Sequence, residues 1–118
     1  MSLSPPEYIR HILNEIDYIL SRISDMDYES FVRDETLKRA FVRSIEVIGE
    51  ASKKLPDDIK AMQSDIEWRK VSGMRDRLIH DYFGVDYSIV WDVVFNKLPD
   101  LRVELYHLLK KLQSDREL

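Results

Sequence analysis

Residues 37–56 read LKRAFVRSIEVIGEASKKLP, and this stretch decides the fold class. Its apolar and small residues recur every three or four positions, which is the spacing of one face of an α-helix. These positions are Leu37, Phe41, Ser44, Ile48, Ala51 and Leu55. The face keeps a seven-residue repeat, which favours antiparallel bundle packing at a shallow crossing angle. Pro56 should end the helix. Gly49 lies inside it at a cost of about 1 kcal/mol relative to alanine, so we expect another part of the chain to approach the backbone there.

The chain before this stretch predicts a further long helix. Ser4-Pro5-Pro6-Glu7 offers an N-cap, a proline in the first turn and a glutamate that can complete a capping box. Its expected buried face consists of Ile9, Leu13, Ile16, Leu20 and Ile23. A turn at Ser24-Asp25-Met26-Asp27 should follow, after which Tyr28 and Phe31 lead into the second helix.

The chain after Pro56 predicts several more helices. A short one should cover residues 56–62, and a second capping box at Ser64-Asp65-Ile66-Glu67 should start a helix that ends near Gly84. Asp86 can cap the next helix, which Pro99 should break or kink near Leu98. The last helix carries Leu101, Leu105, Leu108, Leu109 and Leu112. The sequence therefore predicts one all-α domain over residues 1–118, an antiparallel helical bundle of about five to six helices.

The composition excludes several classes of function. The chain has no cysteine, which excludes thiolate zinc sites, disulfide frameworks and cysteine nucleophiles. The three histidines, at positions 11, 80 and 107, show no metal-ligand spacing, and no phosphate-binding loop of the Gly-x4-Gly-Lys type is present. A formal net charge of −4 argues against binding nucleic acid over the whole surface, although residues 69–77 carry four basic residues and one acidic one.

The start of the chain and its hydropathy bear on location. Met1-Ser2-Leu3-Ser4 lacks a basic region followed by an apolar run, and no uncharged stretch approaches the ~18 residues of a membrane span. We therefore expect a cytoplasmic protein with no membrane partner.

One stretch, residues 74–83, reads MRDRLIHDYF and carries residues suited to chemistry. The Arg75 guanidinium can hold a phosphate and stabilise developing negative charge, and the His80 imidazole can move a proton near neutral pH. Together they suffice for phosphodiester cleavage without a metal or another cofactor. Two residues that are five positions apart on one straight helix are separated by about 140° of rotation. Such a helix therefore cannot direct both the Arg75 and the His80 side chain at one phosphate. The conflict disappears if the helix ends near His80, or if two copies meet across a two-fold axis, which predicts a homodimer.

The neighbours of this pair are candidates for positioning the substrate. Asp76 precedes His80 by four residues, so its carboxylate can hold one ring nitrogen and leave the other directed outward. Arg77 belongs to the basic cluster of residues 69–77, and we expect it to position substrate as well. Each candidate also has a structural interpretation: a solvated histidine at a helix end, a surface ion pair, or an aromatic residue, Tyr82, that closes a core.

A separate pair, Glu104 and His107, has the Glu-x-x-His spacing used in di-iron bundles. Such sites need a second pair and further glutamates on facing helices, so the spacing alone is weak evidence for metal.

The pattern Arg75-x4-His80-x-Tyr82 resembles the signature of the HEPN superfamily, specifically the HepT-like toxin family. Further stretches, in the same order along the chain, are also similar to that family. They are residues 48–56 (IGEASKKLP), 66–69 (IEWR), 85–87 (VDY), 90–92 (VWD) and 98–101 (LPDL). The resemblance therefore covers nearly the whole chain.

The resemblance implies a homodimeric antiparallel helical bundle with a metal-independent endoribonuclease site in the cleft between protomers. It also implies a partner, the MNT-type nucleotidyltransferase antitoxin. Carried onto this chain, Arg75 would stabilise the scissile phosphate, and His80 would act as acid or base on the 2′-hydroxyl route. Tyr82 would accept AMP groups from the antitoxin, which would block RNA by bulk and negative charge. Asp76 stands where the family often has an uncharged polar residue.

Two other functions remain open at the level of sequence. The chain could be a non-catalytic nucleotide-binding or adaptor subunit of a nucleotidyltransferase complex, in which the same arginine and histidine bind a phosphate. It could also be a helical dimer with no site. RNA cleavage by the isolated protein distinguishes the ribonuclease from both.

Overall fold

Helices account for nearly all of the computed structural model, which describes residues 3–80 and 84–117. The helices are α1 (Pro5–Ile23), α2 (Tyr28–Arg33), α3 (Glu35–Lys53), α4 (Asp57–Ala61), α5 (Trp68–Ser72), α6 (Met74–Leu78), α7 (Tyr87–Asp92) and α8 (Leu98–Glu117), with a π-helical turn at Val93–Lys97 between the last two. Between α6 and α7, β1 (Ile79–His80) pairs with β2 (Gly84–Val85) in a two-residue antiparallel ladder. The all-α prediction is confirmed, and the homodimer stays a prediction.

The first helix begins as its sequence predicts. Ser4 Oγ accepts a hydrogen bond from the Glu7 backbone N–H at 3.4 Å, and the Glu7 carboxylate accepts one from the Ser4 N–H at 3.3 Å. The Ser4 hydroxyl also donates to the Glu7 carboxylate at 2.8 Å, and this bond, together with the one from the Ser4 N–H, lowers the pKa of Glu7. The capping box is formed entirely by neighbours along the chain, which is why a local pattern identifies it.

The long helices α1, α3 and α8 pack together around one hydrophobic core. Four of the five predicted stripe positions on α1 are buried, and Leu20 is partly buried. The side chains that are fully buried in this core include Ile9, Ile12, Ile16, Phe31, Phe41, Ile45, Ile48, Leu105 and Leu108. On the outer side of the bundle, Arg102 Nε of α8 donates to Asp17 Oδ1 of α1 at 2.6 Å. Helix α3 packs against α1 and also against α5 and α6, so its seven-residue repeat lies among neighbouring helices, as a bundle requires.

The lead-in to α3 is a separate short helix. Asp34 has an extended backbone (φ −91°, ψ 91°), and its side chain accepts from the Leu37 N–H at 2.9 Å. It therefore ends α2 and caps α3 at the same residue.

The helix predicted from Ser64-Asp65-Ile66-Glu67 to Gly84 is wrong at both ends. Ser64 does not start it: α5 begins at Trp68, and Glu67 is its N-cap without a side-chain capping bond. The reason is tertiary. The Trp68 indole N–H donates to the Lys60 and Gln63 carbonyls at 3.0 and 3.2 Å, and Lys111 Nζ donates to the Met62 carbonyl at 2.8 Å. These bonds hold residues 62–67 in turns.

The predicted helix is also divided at Gly73 into α5 and α6, and at its other end it stops at Leu78. Ile79 is extended (φ −103°, ψ 122°) and pairs with Val85, and the Asp86 N–H donates to the Leu78 carbonyl at 2.6 Å. Gly84 is the residue opposite His80 in this ladder and has φ 84°, a left-handed conformation that glycine adopts without strain. Gly84 therefore belongs to strand β2 and does not end a helix.

The break expected at Pro99 is absent, because the chain stays helical from α7 through the π-helical turn into α8. A proline ring within a helix clashes with the carbonyl four residues earlier, here that of Phe95. The backbone is π-helical at Val93–Lys97, just before the proline, and the wider turn moves that carbonyl away. One helical segment therefore runs from Tyr87 to Glu117.

Within residues 3–80 and 84–117, no helix has both the length and the apolar character needed to cross a membrane.

Candidate active site

Helix α6 carries Arg75 at the edge of a small surface pocket of about 140 Å³. The Arg75 side chain is half exposed, with 50% of its surface accessible to solvent. The pocket lies where α6 meets α3, and its other lining residues are Glu46, Gly49, Glu50, Lys53, Ser72 and Asp76. Arg75 is therefore a surface group at a concave site and not a component of the core.

Two carboxylates face the Arg75 guanidinium from different sides. Glu46 Oε1 lies 3.7 Å from Arg75 Nε, and Asp76 Oδ1 lies 3.8 Å from Arg75 Nη1. Both distances exceed those of hydrogen bonds, so these are loose ion pairs in contact with solvent. A guanidinium has five N–H donors, and this one keeps them available for an anion such as a phosphate.

The floor of the pocket is a close contact between α3 and α5. A Cβ added to Gly49 would lie 3.1 Å from the Ser72 carbonyl oxygen, so the close approach predicted at Gly49 is confirmed. Beside it, the buried Ser52 hydroxyl donates to the Gly49 carbonyl at 2.8 Å and lies 3.0 Å from the Ser72 hydroxyl. Because the Ser52 proton is already used, Ser72 is the donor between the two hydroxyls. These small side chains fix the distance from α3 to the segment that carries Arg75.

His80 lies two residues beyond the end of α6, in β1, and its side chain lies outside the described part of the structure. Tyr82, the predicted AMP acceptor, lies outside the described residues altogether. The rotation that separates Arg75 from His80 on a continuous helix no longer applies, because the backbone turns extended at Ile79. The helix does end near His80, as the first of the two solutions offered by the sequence requires, and the second solution, a two-fold pair, stays a prediction.

The two predicted substrate-positioning residues lie apart. Asp76 lines the Arg75 pocket, but the helix that would place it one turn from His80 ends at Leu78, so its role toward His80 stays a prediction. Arg77 lies on another face of α6 and lines a larger groove of about 560 Å³ between α5 and the segment of residues 93–104. In this groove Glu67 Oε2 lies 2.6 Å from Lys70 Nζ, and this hydrogen-bonded ion pair lowers the pKa of Glu67.

One residue of the Arg75 pocket was missed at the level of sequence. Glu46 lies 3.7 Å from the Arg75 Nε atom, although it is 29 residues earlier in the chain. A signal was present: Glu46, Gly49, Glu50 and Lys53 follow the spacing of one helical face, and that face is polar around a glycine. The expected close approach at Gly49 thus marked the face on which the pocket is formed.

The Glu-x-x-His pair of α8 has another arrangement. The Glu104 carboxylate accepts a hydrogen bond from Gln63 Nε2 at 2.5 Å, and His107 is exposed. Among the side chains that the structure describes, no group of three or more histidine, aspartate or glutamate residues could hold a metal ion.

Comparison with known proteins gives a consistent result. Residues 12–108 match the family described as "Ribonuclease HepT-like". A protein of Caldanaerobacter subterraneus subsp. tengcongensis named as a "Putative RNase" is 43% identical over 108 residues, which cover 92% of this chain and 96% of the relative. A "Putative RNase" of Methanocaldococcus jannaschii is 42% identical and covers 91% and 92%. The "Probable ribonuclease HepT" of Thermococcus cleftensis is 37% identical and covers 93% and 100%. A search of solved structures found no significant match.

Proposed function

Because this chain belongs to the ribonuclease HepT-like family, we propose that it is a metal-independent endoribonuclease and the toxin of a HEPN/MNT toxin-antitoxin pair. The observation that carries the proposal is the environment of Arg75. Its guanidinium is half exposed in a pocket, forms only loose ion pairs with the carboxylates of the described residues, and stands five residues before His80, where α6 ends and β1 begins.

The proposed chemistry needs one anion-binding group and proton transfer. In RNA the 2′-oxygen attacks the adjacent phosphorus and the 5′-oxygen of the next nucleotide leaves, so one proton must be removed and one supplied. His80 transfers these protons, and Arg75 stabilises the negative charge that grows on the phosphate oxygens in the transition state. A two-fold cleft would provide two histidines, one for each proton.

We further propose that the working form is a homodimer. The Arg75 pocket of about 140 Å³ is well below the 300–1,000 Å³ typical of ligand sites, so one protomer encloses little of an RNA strand. A second copy related by a two-fold axis would place another surface over the pocket and another Arg75 and His80 beside it.

The proposed partner is an MNT-type nucleotidyltransferase antitoxin that adds AMP to Tyr82. This residue follows His80 by two positions, so an added phosphate would compete with RNA for the same guanidinium. Intact-mass spectrometry of the protein co-expressed with a neighbouring nucleotidyltransferase should show AMP-sized increments that disappear in Tyr82→Phe. An unmodified mass beside an active antitoxin would contradict this mode of control.

The nuclease assignment is tested with purified protein on single-stranded and structured RNA in the presence of a chelator. We expect Arg75→Ala and His80→Ala each to lower the cleavage rate by about 10²-fold or more, since single electrostatic and acid-base groups contribute that much. Arg33→Ala is the matched control, because Arg33 is an exposed arginine in an ion pair on α2. Circular dichroism should show unchanged helicity in all three variants.

Equal cutting by wild type and by either site variant would refute the assignment. Nucleotide binding without RNA cleavage in the wild type would instead favour the adaptor subunit.

A further inference from the structure

We propose that Glu46 is a positioning residue that orients the Arg75 guanidinium for phosphate, an inference that rests on the proposed ribonuclease function. Glu46 lies on α3, while Arg75 lies on α6, so the contact joins side chains of two helices at the site. It is the only described carboxylate outside α6 that forms an ion pair with Arg75.

Glu46 is itself held from a second side. Its Oε2 atom lies 3.7 Å from Arg43 Nη1, and its Oε1 atom lies 3.7 Å from Arg75 Nε. The Glu46 side chain is 29% exposed, whereas those of Arg43 and Asp76 are largely in solvent. A carboxylate that is partly buried and paired at both oxygens has less conformational freedom than the exposed side chains of Arg43 and Asp76. Glu46 can therefore orient the Arg75 guanidinium.

The orientation that results suits a phosphate. The Nε edge of Arg75 is turned toward Glu46, and this leaves the edge formed by Nη1 and Nη2 for two parallel hydrogen bonds to phosphate oxygens. Asp76 approaches Nη1, but its side chain is exposed and can turn away into solvent when an anion binds. Arg43 compensates the Glu46 charge, which reduces its repulsion of the incoming substrate.

Loss of this contact has a characteristic kinetic signature. An exposed ion pair contributes little to folding, so we expect Glu46→Gln to fold normally. Its kcat should fall about two- to fivefold, which corresponds to the energy of such a pair. KM should stay the same or decrease, because the variant removes a negative charge from beside the bound phosphate. Glu46→Asp keeps the charge at a shorter reach and should recover part of the lost kcat.

The experiment compares wild type, Glu46→Gln, Glu46→Asp and Glu29→Gln in single-turnover and steady-state cleavage of one RNA. Glu29→Gln is the control, because Glu29 also pairs with an arginine but lies on α2. A kcat for Glu46→Gln equal to that of wild type, or a rise in KM alone, would overturn the proposal.

A second readout does not depend on nuclease activity. The ¹⁵Nε–¹Hε correlation of Arg75, assigned by its loss in Arg75→Lys, should move in Glu46→Gln and stay in place in Glu29→Gln. An unmoved Arg75 signal in Glu46→Gln would overturn the proposal even if cleavage changed. A wild type that cuts no RNA while this signal moves would refute the ribonuclease function and leave the orienting contact supported.

Discussion

Substitution of Gly49 by alanine tests whether the α3–α5 contact sets the geometry of the site. Two effects oppose each other. Alanine gains about 1 kcal/mol over glycine in a helix interior, and overpacking costs about 1–3 kcal/mol. The new Cβ would lie 3.1 Å from the Ser72 carbonyl and 3.6 Å from the Val71 carbonyl. Both are backbone atoms of α5, and the Ser52–Ser72 bond holds that helix in place, so we expect overpacking to win.

The expected net effect is a loss of about 1 kcal/mol for Gly49→Ala and of about 3 kcal/mol for Gly49→Val, whose two extra methyl groups meet the same carbonyls without a gain in propensity. For a domain of this size, 1 kcal/mol lowers Tm by roughly 4 °C. Urea titrations followed by circular dichroism measure the free energy of unfolding, and the m-value should not change. Arg39→Gly and Arg39→Ala, at an exposed position of the same helix, give the propensity difference free of packing.

A result of the opposite sign would refute this reasoning. If Gly49→Ala is more stable than wild type by the full difference measured at position 39, the Ser72 carbonyl imposes no constraint. In that case the close contact does not determine where α5, and with it the pocket floor, lies against α3.

Two further predictions concern backbone strain and pH. Gly84→Ala should destabilise the fold by about 1–2 kcal/mol through its left-handed backbone, since a Cβ there meets no atom of the described residues within 4 Å. Thermal unfolding measures this, and an unchanged Tm would contradict it. Hydrogen bonds from the Ser30 hydroxyl and N–H lower the pKa of Asp27 in the folded protein. The charged carboxylate therefore stabilises the fold fully at pH values above the ordinary aspartate pKa of about 3.9. This contribution is lost as the pH falls through the lower pKa of the folded state. The Tm difference between wild type and Asp27→Asn should therefore be present at neutral pH and vanish in acid, and a difference that persists in acid would show that charge is not its cause.

The parts of the fold that depend on neighbours in sequence were predictable. The capping box at Ser4 and Glu7 and the buried stripe of α3 require only the helix itself and its spacing. The start at Ser64 failed because two side chains donate to the carbonyls of that turn, one from nearby Trp68 and one from Lys111 on the distant helix α8. A capping pattern contains no information about such tertiary donors, so it cannot exclude them.

The spacing of residues in the sequence names candidates for the site, and these stay a prediction, but it does not give their arrangement. Arg75, His80 and Tyr82 were recognised by their spacing, which a resemblance to a family can supply. Glu46 could not be assigned to Arg75, because their contact depends on how closely α5 and α6 approach α3. Gly49 indicated the approach, but the identity of the partner helix follows only from the fold.

The π-helical turn at Val93–Lys97 has a consequence for how this segment can vary. Val90 before it, Val94 within it, and Leu98 and Leu101 after it are all buried along one uninterrupted helical segment. A π turn takes up one residue more than an α turn for nearly the same rotation, so it holds an extra residue without rotating the helix that follows. Removal of one residue here would convert the segment into an ordinary α turn and leave the leucines of α8 facing the core. This segment can therefore lose one residue in evolution without a change in the phase of α8, whereas a loss elsewhere in the helix would rotate everything that follows.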